Sequence, residues 1–395
     1  MSITLPEVLF WSALFLVFYA YLGYGLLLWV LMRLGRGRPA VLPDDFLPPL
    51  GFITCAYNEE EHIEAKIANS LALDYPRERL QLIFVSDGSN DATAALIDAY
   101  PYPEGTRVLH LHDPVRKGKI AAFQRAMEQV QTPFVVSTDA NALVNPQAVR
   151  RLVAHFADPA TGAVAGEKRI SLAERDAAHS AGEGIYWRYE SLLKKWDAEL
   201  GSVVGAAGEL FAFRTEAYEK VPPDTIIEDF YLTLRIAQKG WRVAYEPCAF
   251  AVESASASVA EELKRKIRIA AGGLQAVARL RALLNVFRYG WLSVQYISHR
   301  VLRWTLAPAL LPLIFLSNLL LAFSGGWLYP ALLAGQIAFY AAAWTGYLLE
   351  KRHMKVKAFF VPYYFCVMNY AVYAGFIGYL KGSQSVLWEK ARRAQ

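Results

Sequence analysis

Long apolar stretches lie at both ends of the chain. Residues from Val8 to Met32 contain no charged side chain across 25 positions. A helix of that length, at about 1.5 Å per residue, exceeds the ~30 Å hydrocarbon core of a bilayer. We therefore predict a transmembrane helix here. Three further apolar stretches occupy the C-terminal region, at Trp304–Gly326, Trp327–Leu349 and Ala358–Leu380.

The middle of the chain has a different pattern. After a proline-containing linker at Pro39–Pro49, short apolar runs alternate with stretches that carry apolar residues at helical spacing. This alternation is typical of a parallel α/β sheet. The apolar runs are Leu50–Ala56, Leu82–Ser86, Val108–His112 and Pro133–Thr138, and the helical stretches are Glu59–Leu73, Ala92–Tyr100 and Ile120–Val130.

Polar side chains follow three of these predicted strands. The segments are Tyr57–Glu60, Asp87–Ser89 and Asp139–Asn141. In open α/β sheets ligands bind beyond the carboxyl ends of the strands. Acceptor and carboxylate groups at three such ends indicate a polar ligand that binds together with a cation. A Walker A pattern and a GxGxxG after a strand are both absent from the sequence.

Composition agrees with a membrane protein that carries one soluble domain. The chain is 55% hydrophobic and 19% charged. Its three cysteines, Cys55, Cys248 and Cys366, form no metal-binding or disulfide pattern. The net charge of +5 includes nine Lys and Arg residues between Lys264 and Arg303, interleaved with apolar residues as in interfacial helices. We therefore expect membrane lipids, and no nucleic acid, as partners.

Basic clusters predict the orientation in the membrane. Residues 1–7 contain no Lys or Arg, whereas Arg33, Arg36 and Arg38 follow the first apolar stretch, which favours a retained anchor over a signal peptide. The region after this anchor then lies in the cytoplasm, as in an integral inner (plasma) membrane protein. Counting the later stretches as crossings places the tail outside. Its basic residues Lys381, Lys390, Arg392 and Arg393 instead favour the inside, and both alternatives stay open.

Several residues are candidates for chemistry, each with a structural alternative. Asp87 can bind a base or ribose, or cap a turn. Asp139 and Asn141 can hold a hard divalent ion through oxygen ligands, or begin a helix. The pair Glu228 and Asp229 can supply a general base, with one member tuning the other, or favour a helix start through the macrodipole.

Two loop segments are further candidates. The small residues Gly205–Gly208, followed by Glu209, allow the backbone to approach a ligand closely, or form a tight turn. Arg116, Lys117 and Lys119 can neutralise a diphosphate, or remain solvated.

Taken in order, these segments resemble the family 2 glycosyltransferases with a GT-A fold, the group that contains cellulose, chitin, hyaluronan and poly-N-acetylglucosamine synthases. The resemblance covers roughly Leu50 to Gln275. Five short motifs in family order carry it: Thr54–Glu60 (TCAYNEE), Val85–Ser89 (VSDGS), Thr138–Asn141 (TDAN), Gly205–Gly208 (GAAG) and Ile227–Asp229 (IED).

The resemblance implies a Rossmann-like α/β GT-A domain in the cytosol with transmembrane helices before and after it. It implies a nucleotide-sugar site at Tyr57, Glu59, Asp87, Lys119 and Asp139, with Mg²⁺ or Mn²⁺ at the diphosphate. Asp229 becomes the general base of an inverting transfer, and UDP is the nucleotide that the family favours.

One departure concerns the acceptor side. Processive synthases of this family carry a Gln-x-x-Arg-Trp motif, and the best match here is Arg265–Ile269 (RKIRI), which lacks the Gln and the Trp. Arg265 and Arg268 can still bind phosphate, and Gln275 lies two turns further along the same predicted helix face. Long-chain processivity is not predicted by this motif.

The predicted organisation is an anchor at 1–40, a glycosyltransferase domain at 46–258, amphipathic interfacial helices at 259–303, and a transmembrane region of about three segments with a tail at 304–395. Three functions remain. The first is transfer to a saccharide or lipid-linked acceptor in exopolysaccharide or cell-surface glycan synthesis, with other subunits of a synthesis complex as partners. The second is transfer to a polyprenyl phosphate, and the third is a catalytically silent membrane scaffold. Intact Asp87, Asp139 and Asp229 count against the scaffold.

Overall fold

A computed structural model describes residues 4–40, 42–170, 179–254, 259–324, 326–352, 354 and 356–382. Lys355 and the basic tail residues Lys390, Arg392 and Arg393 lie outside these ranges.

The described part contains twelve main helices, which we number in chain order. Helix α1 includes a π-helical segment at Tyr19–Gly23, and α9 includes another at Ile297–Val301. The helices are α1 (Leu5–Arg33), α2 (Ile63–Leu71), α3 (Thr93–Ala99), α4 (Lys119–Gln129), α5 (Ala148–Ala154), α6 (His179–Leu200), α7 (Glu228–Gln238), α8 (Val259–Arg279), α9 (Trp291–Trp304), α10 (Leu306–Leu321), α11 (Leu328–Lys351) and α12 (Lys357–Leu380). Shorter helical turns lie at Arg77–Arg79, His155–Ala157, Thr215–Ala217, Arg281–Leu284 and Val286–Tyr289.

Eight strands form one sheet in the order β3-β2-β1-β4-β7-β6-β8-β5. They are β1 (Leu50–Ala56), β2 (Leu80–Asp87), β3 (Arg107–Asp113), β4 (Phe134–Asp139), β5 (Leu143–Val144), β6 (Thr161–Ile170), β7 (Leu210–Arg214) and β8 (Arg242–Glu253).

The sheet is mixed, which corrects the prediction of a parallel sheet. The first four strands in the order are parallel, as the alternation of strands and helices predicted. Strand β7 runs antiparallel to both β4 and β6, and β5 runs antiparallel to β8. The reversal falls where the chain leaves the strand–helix alternation and returns through the long helix α6, so the pattern of the first half carried no signal for it.

Apolar cores cover both faces of the sheet. One core packs under α2 and α5 and includes Phe52, Phe84 and Val136, all almost fully buried. The other packs against α4 and α7 and includes Ile53, Val85 and Phe213. Adjacent residues of one strand point to opposite faces, so the continuous apolar runs follow from burial on both sides.

The apolar ends of the chain form long helices, close to their predicted bounds. Among the described residues, three helices are long and apolar enough to cross a membrane: α1, α11 and α12. Helices α9 and α10 meet at a bend of 55° and together qualify as a fourth span. The bend occurs at Thr305, whose backbone (φ −130°, ψ −82°) is not helical. Helix α10 is shorter than the predicted segment because it begins after this bend and ends at Leu321.

A buried polar cluster joins α1 and α9 to helix α6. Tyr24 of α1 donates to Asp197 of α6. His299 of α9 lies between two buried carboxylates, with Nδ1 2.5 Å from Asp197 and Nε2 3.0 Å from Glu190. Arg303 also contacts Glu190 and donates to the carbonyl of Ala20. Since buried charges are tolerated when they are paired, this cluster fixes α1 relative to α6 and α9.

Candidate active site

The polar segments that follow β1, β2 and β4 meet at one edge of the sheet. Residue Cys55 of β1 pairs in register with Val85 of β2 and with Asp139 of β4. The predicted convergence of three strand ends is therefore confirmed. These ends open into a cleft lined by Cys55, Ala56, Tyr57, Glu59, Asp87, Arg116, Gly118, Lys119, Ala122, Asp139, Ala140, Asn141 and Glu253.

Side chains of the first two segments hold each other in place. Asn58 has a left-handed backbone (φ 53°), and its side-chain amide exchanges hydrogen bonds with Asn90. The backbone N–H of Glu59 donates to Thr93. The ring of Tyr57 stacks under the guanidinium of Arg116, 3.7 Å from the ring centroid. Tyr57 and Glu59 thus both line the cleft, on a loop that is held by hydrogen bonds to Asn90 and Thr93.

Asp87 organises a second loop, of which Arg116 and Gly118 line the cleft. Its Oδ2 accepts hydrogen bonds from the backbone N–H groups of Lys117 and Gly118, at 3.0 and 2.6 Å, and its Oδ1 accepts from Arg125. The next residue is Gly88 (φ 67°), where a Cβ atom would lie 2.3 Å from the backbone nitrogen of Arg116. This carboxylate therefore positions the segment that leads into Lys119. A direct contact of Asp87 with a nucleotide stays a prediction.

Lys119 lies at the centre of the site. Its Nζ is 2.7 Å from Asp139 and 2.8 Å from Glu228, so it links a strand end to the start of helix α7. Burial alone would lower the pKa of Lys119, but the carboxylates of Asp139, Glu228 and Asp229 raise it well above its usual value. Burial raises the pKa of Asp139, and Lys119 opposes that shift.

The two acidic residues of α7 differ in their environment. Burial favours the neutral form of both, but contact with Lys119 holds the pKa of Glu228 below its usual value. For Asp229, burial and the neighbouring charge of Glu228 raise the pKa to about 7, against the opposing effect of Lys119. Divergent pKa values within an acidic pair are the pattern expected of a tuned general base.

Small residues are required beside this pair. Gly205 has φ 86°, and a Cβ atom there would lie 2.1 Å from the ring of Phe230. A Cβ atom at Gly208 would contact Lys119 Nζ at 3.2 Å and Asp229 at 3.4 Å. The Gly205–Gly208 segment thus packs against Phe230, Lys119 and Asp229. The predicted close approach of its backbone to a ligand stays a prediction.

One supporting residue was missed by sequence reasoning. Lys66 of α2 is fully buried and donates to the hydroxyl of Thr138 at 2.9 Å and to the carbonyl of Ala142 at 2.5 Å. It therefore binds residues immediately before and after the segment that carries Asp139 and Asn141. Burial lowers the pKa of Lys66 to about 7, with Asp139 opposing the shift. A lysine on the apolar face of a predicted helix was the available signal.

A second missed residue is Glu253, the last residue of β8 and part of the cleft wall. It pairs with the buried Lys168, which also contacts Glu209. Lys168 and Arg265 hold the pKa of Glu209 below its usual value, against the effect of burial. Glu209 therefore forms part of an ion-pair network at the cleft wall, and a role in binding stays a prediction.

The residues predicted on the acceptor side lie on α8. Arg268 donates to the carbonyl of Ile226, close to Asp229, whereas Arg265 contacts Glu262 and Glu209. The amide of Gln275 bonds to the backbone of Asp224 and Ile226. The structure thus gives Gln275 a contact that supports the segment before Glu228, and a direct role at the acceptor stays a prediction.

The oxygen ligands at the cleft fit a hard divalent cation held with a diphosphate. Within the described ranges, no group of three or more His, Cys, Asp or Glu side chains could hold a metal ion alone. Asp139 and Asn141 nevertheless both line the cleft. Mg²⁺ commonly takes one or two carboxylates and completes its coordination with phosphate oxygens and water.

Comparison with known proteins supports a glycosyltransferase. The chain is 30% identical over 242 residues to the poly-beta-1,6-N-acetyl-D-glucosamine synthase of Staphylococcus aureus (strain COL), covering 60% of this chain and 57% of that protein. The synthase of the same name from Staphylococcus epidermidis is 25% identical over 237 residues, covering 58% and 56%. The chain thus spans little more than half the length of these relatives.

A solved structure has the same fold. It is the mannosyltransferase PcManGT from Pyrobaculum calidifontis in complex with GDP-Man and Mn²⁺, with a TM-score of 0.71 and 23% sequence identity. The similarity covers 95% of this chain and 100% of that chain. It confirms the GT-A fold.

The family model "Glycosyltransferase like family 2" matches residues 48–272, a range that contains every cleft residue described above. The chain belongs to this family of glycosyltransferases, as its five motifs predicted.

Proposed function

We propose that this enzyme is an inverting, metal-dependent glycosyltransferase that moves a sugar from a nucleotide-sugar to a saccharide acceptor at the cytoplasmic face of the membrane. One observation carries the proposal: Lys119 joins Asp139, at the end of β4, to Glu228 and Asp229, at the start of α7. The carboxylate that we assign to donor binding and the acidic pair that holds the candidate base therefore lie around the same lysine.

The nucleotide-sugar binds in the cleft at the ends of β1, β2 and β4. Tyr57 and Glu59 line this cleft, together with Arg116 and Gly118 of the loop held by Asp87. Arg116 and Lys119 bring positive charge to the diphosphate. Electrostatic groups fixed before the reaction stabilise developing charge without reorganising.

Asp139 and Asn141 hold Mg²⁺ or Mn²⁺ in this proposal. The cation supplies positive charge that stabilises the leaving diphosphate. The PcManGT complex contains Mn²⁺, which is consistent with a divalent ion in this fold. Asn141 stands in place of a second carboxylate, so the protein ligands carry less negative charge than in a two-carboxylate site. The donor diphosphate therefore contributes more of the negative charge that holds the ion.

Asp229 acts as the general base. Its carboxylate accepts the proton of the acceptor hydroxyl as that oxygen attacks the anomeric carbon and the bond to the diphosphate breaks. A single displacement inverts the configuration, so an α-linked donor gives a β-linked product. Glu228 raises the proton affinity of Asp229, and Gly208 leaves room beside it for the acceptor.

The staphylococcal relatives suggest the class of product. Their names specify synthesis of a β-1,6-linked polymer of N-acetylglucosamine. We infer that this chain uses a UDP-sugar and extends a cell-surface or secreted polysaccharide, with other subunits of a synthesis complex as partners. Ile269 stands where processive synthases of the family carry Trp, so we infer a shorter product than theirs.

Replacing Asp229 by Asn tests the base assignment. The variant removes the proton acceptor and keeps the shape, so we expect kcat to fall by about 10²–10⁴-fold while donor affinity stays near that of the wild type. Asp224→Asn is the matched control, because Asp224 is an exposed acid five residues earlier. Isothermal titration with the donor and a transfer assay measure the two effects. Wild-type turnover by Asp229→Asn would exclude Asp229 as the base.

The pH profile tests the role of Glu228. Because the base acts when deprotonated and its pKa is raised to about 7, kcat should increase with pH and level off above neutrality. Glu228→Gln removes the negative charge that raises this pKa, so the midpoint should move to lower pH. Asp224→Asn should leave the midpoint unchanged. A midpoint that stays fixed in Glu228→Gln contradicts the coupling of the two acids.

The metal assignment predicts opposite effects at two positions. Asp139→Ala should weaken metal-dependent donor binding by about 10- to 100-fold, the range for losing a charged contact worth about 1.5–3 kcal/mol. Asn141→Asp adds a carboxylate and should lower the metal concentration needed for half-maximal binding. Asp98→Ala, at an exposed acid, is the control. Titration of a fluorescent donor, with and without a chelator, measures the donor affinity and its dependence on metal. If the metal dependence is unchanged in both Asp139→Ala and Asn141→Asp, these residues do not form the metal site.

The acceptor class is tested by the solubility of the product. After transfer from a radiolabelled donor in native membranes, we expect the label in water-soluble saccharide. The label would instead enter the organic phase if the acceptor were a polyprenyl phosphate, which would replace our acceptor assignment while leaving the donor site intact.

A further inference from the structure

Helix α9 joins the apolar helices to the loop beside the candidate base. It ends at the bend before Thr305, where α10 continues as the second half of the fourth candidate span. Towards α1, Arg303 of α9 donates to the carbonyl of Ala20 at 2.9 Å. Other side chains of α9 contact helix α6 and the residues that lead into the glycine segment (Gly205–Gly208).

Arg300 makes a double polar contact from α9. Its Nη1 lies 2.6 Å from a carboxylate oxygen of Glu190 in α6, and its Nε donates to the carbonyl of Val204 at 3.2 Å. Val204 is fully buried and directly precedes Gly205. A guanidinium has five donors in one rigid plane, so a single side chain holds both partners at once. Arg300 therefore ties the start of the glycine segment to α6.

Glu190 is a fixed partner for Arg300. Its carboxylate also lies 3.0 Å from Nε2 of His299 and 3.1 Å from Nη1 of Arg303, and its side chain is only 3% exposed. Burial alone would raise the pKa of Glu190, but Arg300, His299 and Arg303 hold that pKa well below its usual value. Glu190 is therefore a buried anion that three side chains of α9 hold in place.

Gln295 of α9 holds the same loop two residues earlier. Its side chain is fully buried, and its Nε2 donates to the carbonyl of Asp197 in α6 at 2.7 Å. Its Oε1 accepts from the backbone N–H of Ser202 at 3.3 Å. Helix α9 thus binds the backbone at both Ser202 and Val204, which leaves the approach to the glycine segment little freedom to move.

The glycine segment in turn binds the helix that carries the candidate base. The backbone N–H of Ala206 donates to the hydroxyl of Thr233 at 3.1 Å, and that hydroxyl donates to the carbonyl of Asp229 at 2.8 Å. Thr233 is fully buried. A hydroxyl can accept and donate at the same time, so one oxygen links the two backbones. Hydrogen bonds and ion pairs therefore lead from Glu190 through Arg300 to Asp229.

We propose that Arg300 is a positioning residue for the transfer reaction, because it holds the glycine segment and, through that segment, the backbone of Asp229. The proposal rests on the proposed role of Asp229 as the general base. A base must lie about 2.6–3.2 Å from the oxygen whose proton it takes, and a displacement of about 1 Å lowers the rate about 10²-fold. Arg300 acts through Val204 and Thr233, without contact with the reacting atoms.

Replacing Arg300 by Met tests the proposal in the full chain in nanodiscs. The change removes both contacts of Arg300, so we expect kcat to fall by about 10- to 100-fold. Donor affinity should stay within about twofold of the wild type, because the donor cleft lies at the ends of β1, β2 and β4. Arg288→Met, at an exposed arginine before α9, is the control and should keep the wild-type kcat. Equal losses of kcat and donor affinity in Arg300→Met, or a wild-type kcat, would overturn the proposal.

Arg300→Lys separates positioning from charge balance and disturbs the fold less. The lysine keeps a positive charge opposite Glu190, but a single ammonium does not reproduce the planar fork that also binds the carbonyl of Val204. We expect kcat to remain at least about 10-fold below the wild type, again with little change in donor affinity. Full recovery of kcat in Arg300→Lys would show that Arg300 only neutralises Glu190, and would contradict a positioning role.

A double-mutant cycle tests whether Arg300 acts through Thr233. Thr233→Val keeps the shape of the side chain and removes the hydroxyl that links the glycine segment to Asp229. If both residues act on Asp229 by one path, Arg300→Lys should lower kcat less in the Thr233→Val background than in the wild type. Effects on kcat that simply multiply would mean that the two residues act independently, and would overturn the proposal.

Asp229→Asn distinguishes a failure of this proposal from a failure of the proposed function. An inactive Asp229→Asn together with a wild-type kcat in both Arg300→Met and Arg300→Lys would overturn the positioning role alone. A fully active Asp229→Asn would remove the base assignment and, with it, the positioning role of Arg300.

Discussion

The site depends on the pairing of Lys119 with carboxylates from separate parts of the chain. Asp139, Glu228 and Asp229 come from a strand end and a helix start that are far apart in sequence. Like charges brought this close in a partly buried cleft repel each other, and a buried cation offsets that repulsion. Because Glu228 takes the nearer contact with Lys119, Asp229 is left with the higher proton affinity. The asymmetry of the acidic pair therefore follows from the position of one lysine.

The surrounding residues serve to hold that lysine and its partners in place. Asp87 accepts hydrogen bonds from the loop that leads into Lys119. Lys66 holds the loop of Asp139 in place through hydrogen bonds to Thr138 and to the carbonyl of Ala142. At Gly205, only a residue without a side chain fits against Phe230, next to the candidate base. Residues of the short sequence motifs thus contact neighbouring loops, in addition to the ligand contacts that we propose for them.

Sequence predicted the parts of this arrangement that depend on local pattern. Apolar runs followed by Asp87 and Asp139 identified strands whose ends had to meet, and helix α7 begins at Glu228 as its acidic start indicated. The reversed strand β7 and the contacts of Lys66 were not predictable, because they depend on residues distant in sequence.

Every step of the proposed reaction requires the Lys119 cleft to be a metal-dependent donor site. The decisive experiment is nucleotide release by the purified protein in nanodiscs, measured across a panel of UDP- and GDP-sugars with membrane lipid extract, with Mg²⁺ or Mn²⁺ and with a chelator. We predict release from a preferred donor that stops when the metal is removed. Release that persists in the chelator, or no release and no binding of any donor, would contradict a metal-dependent donor site.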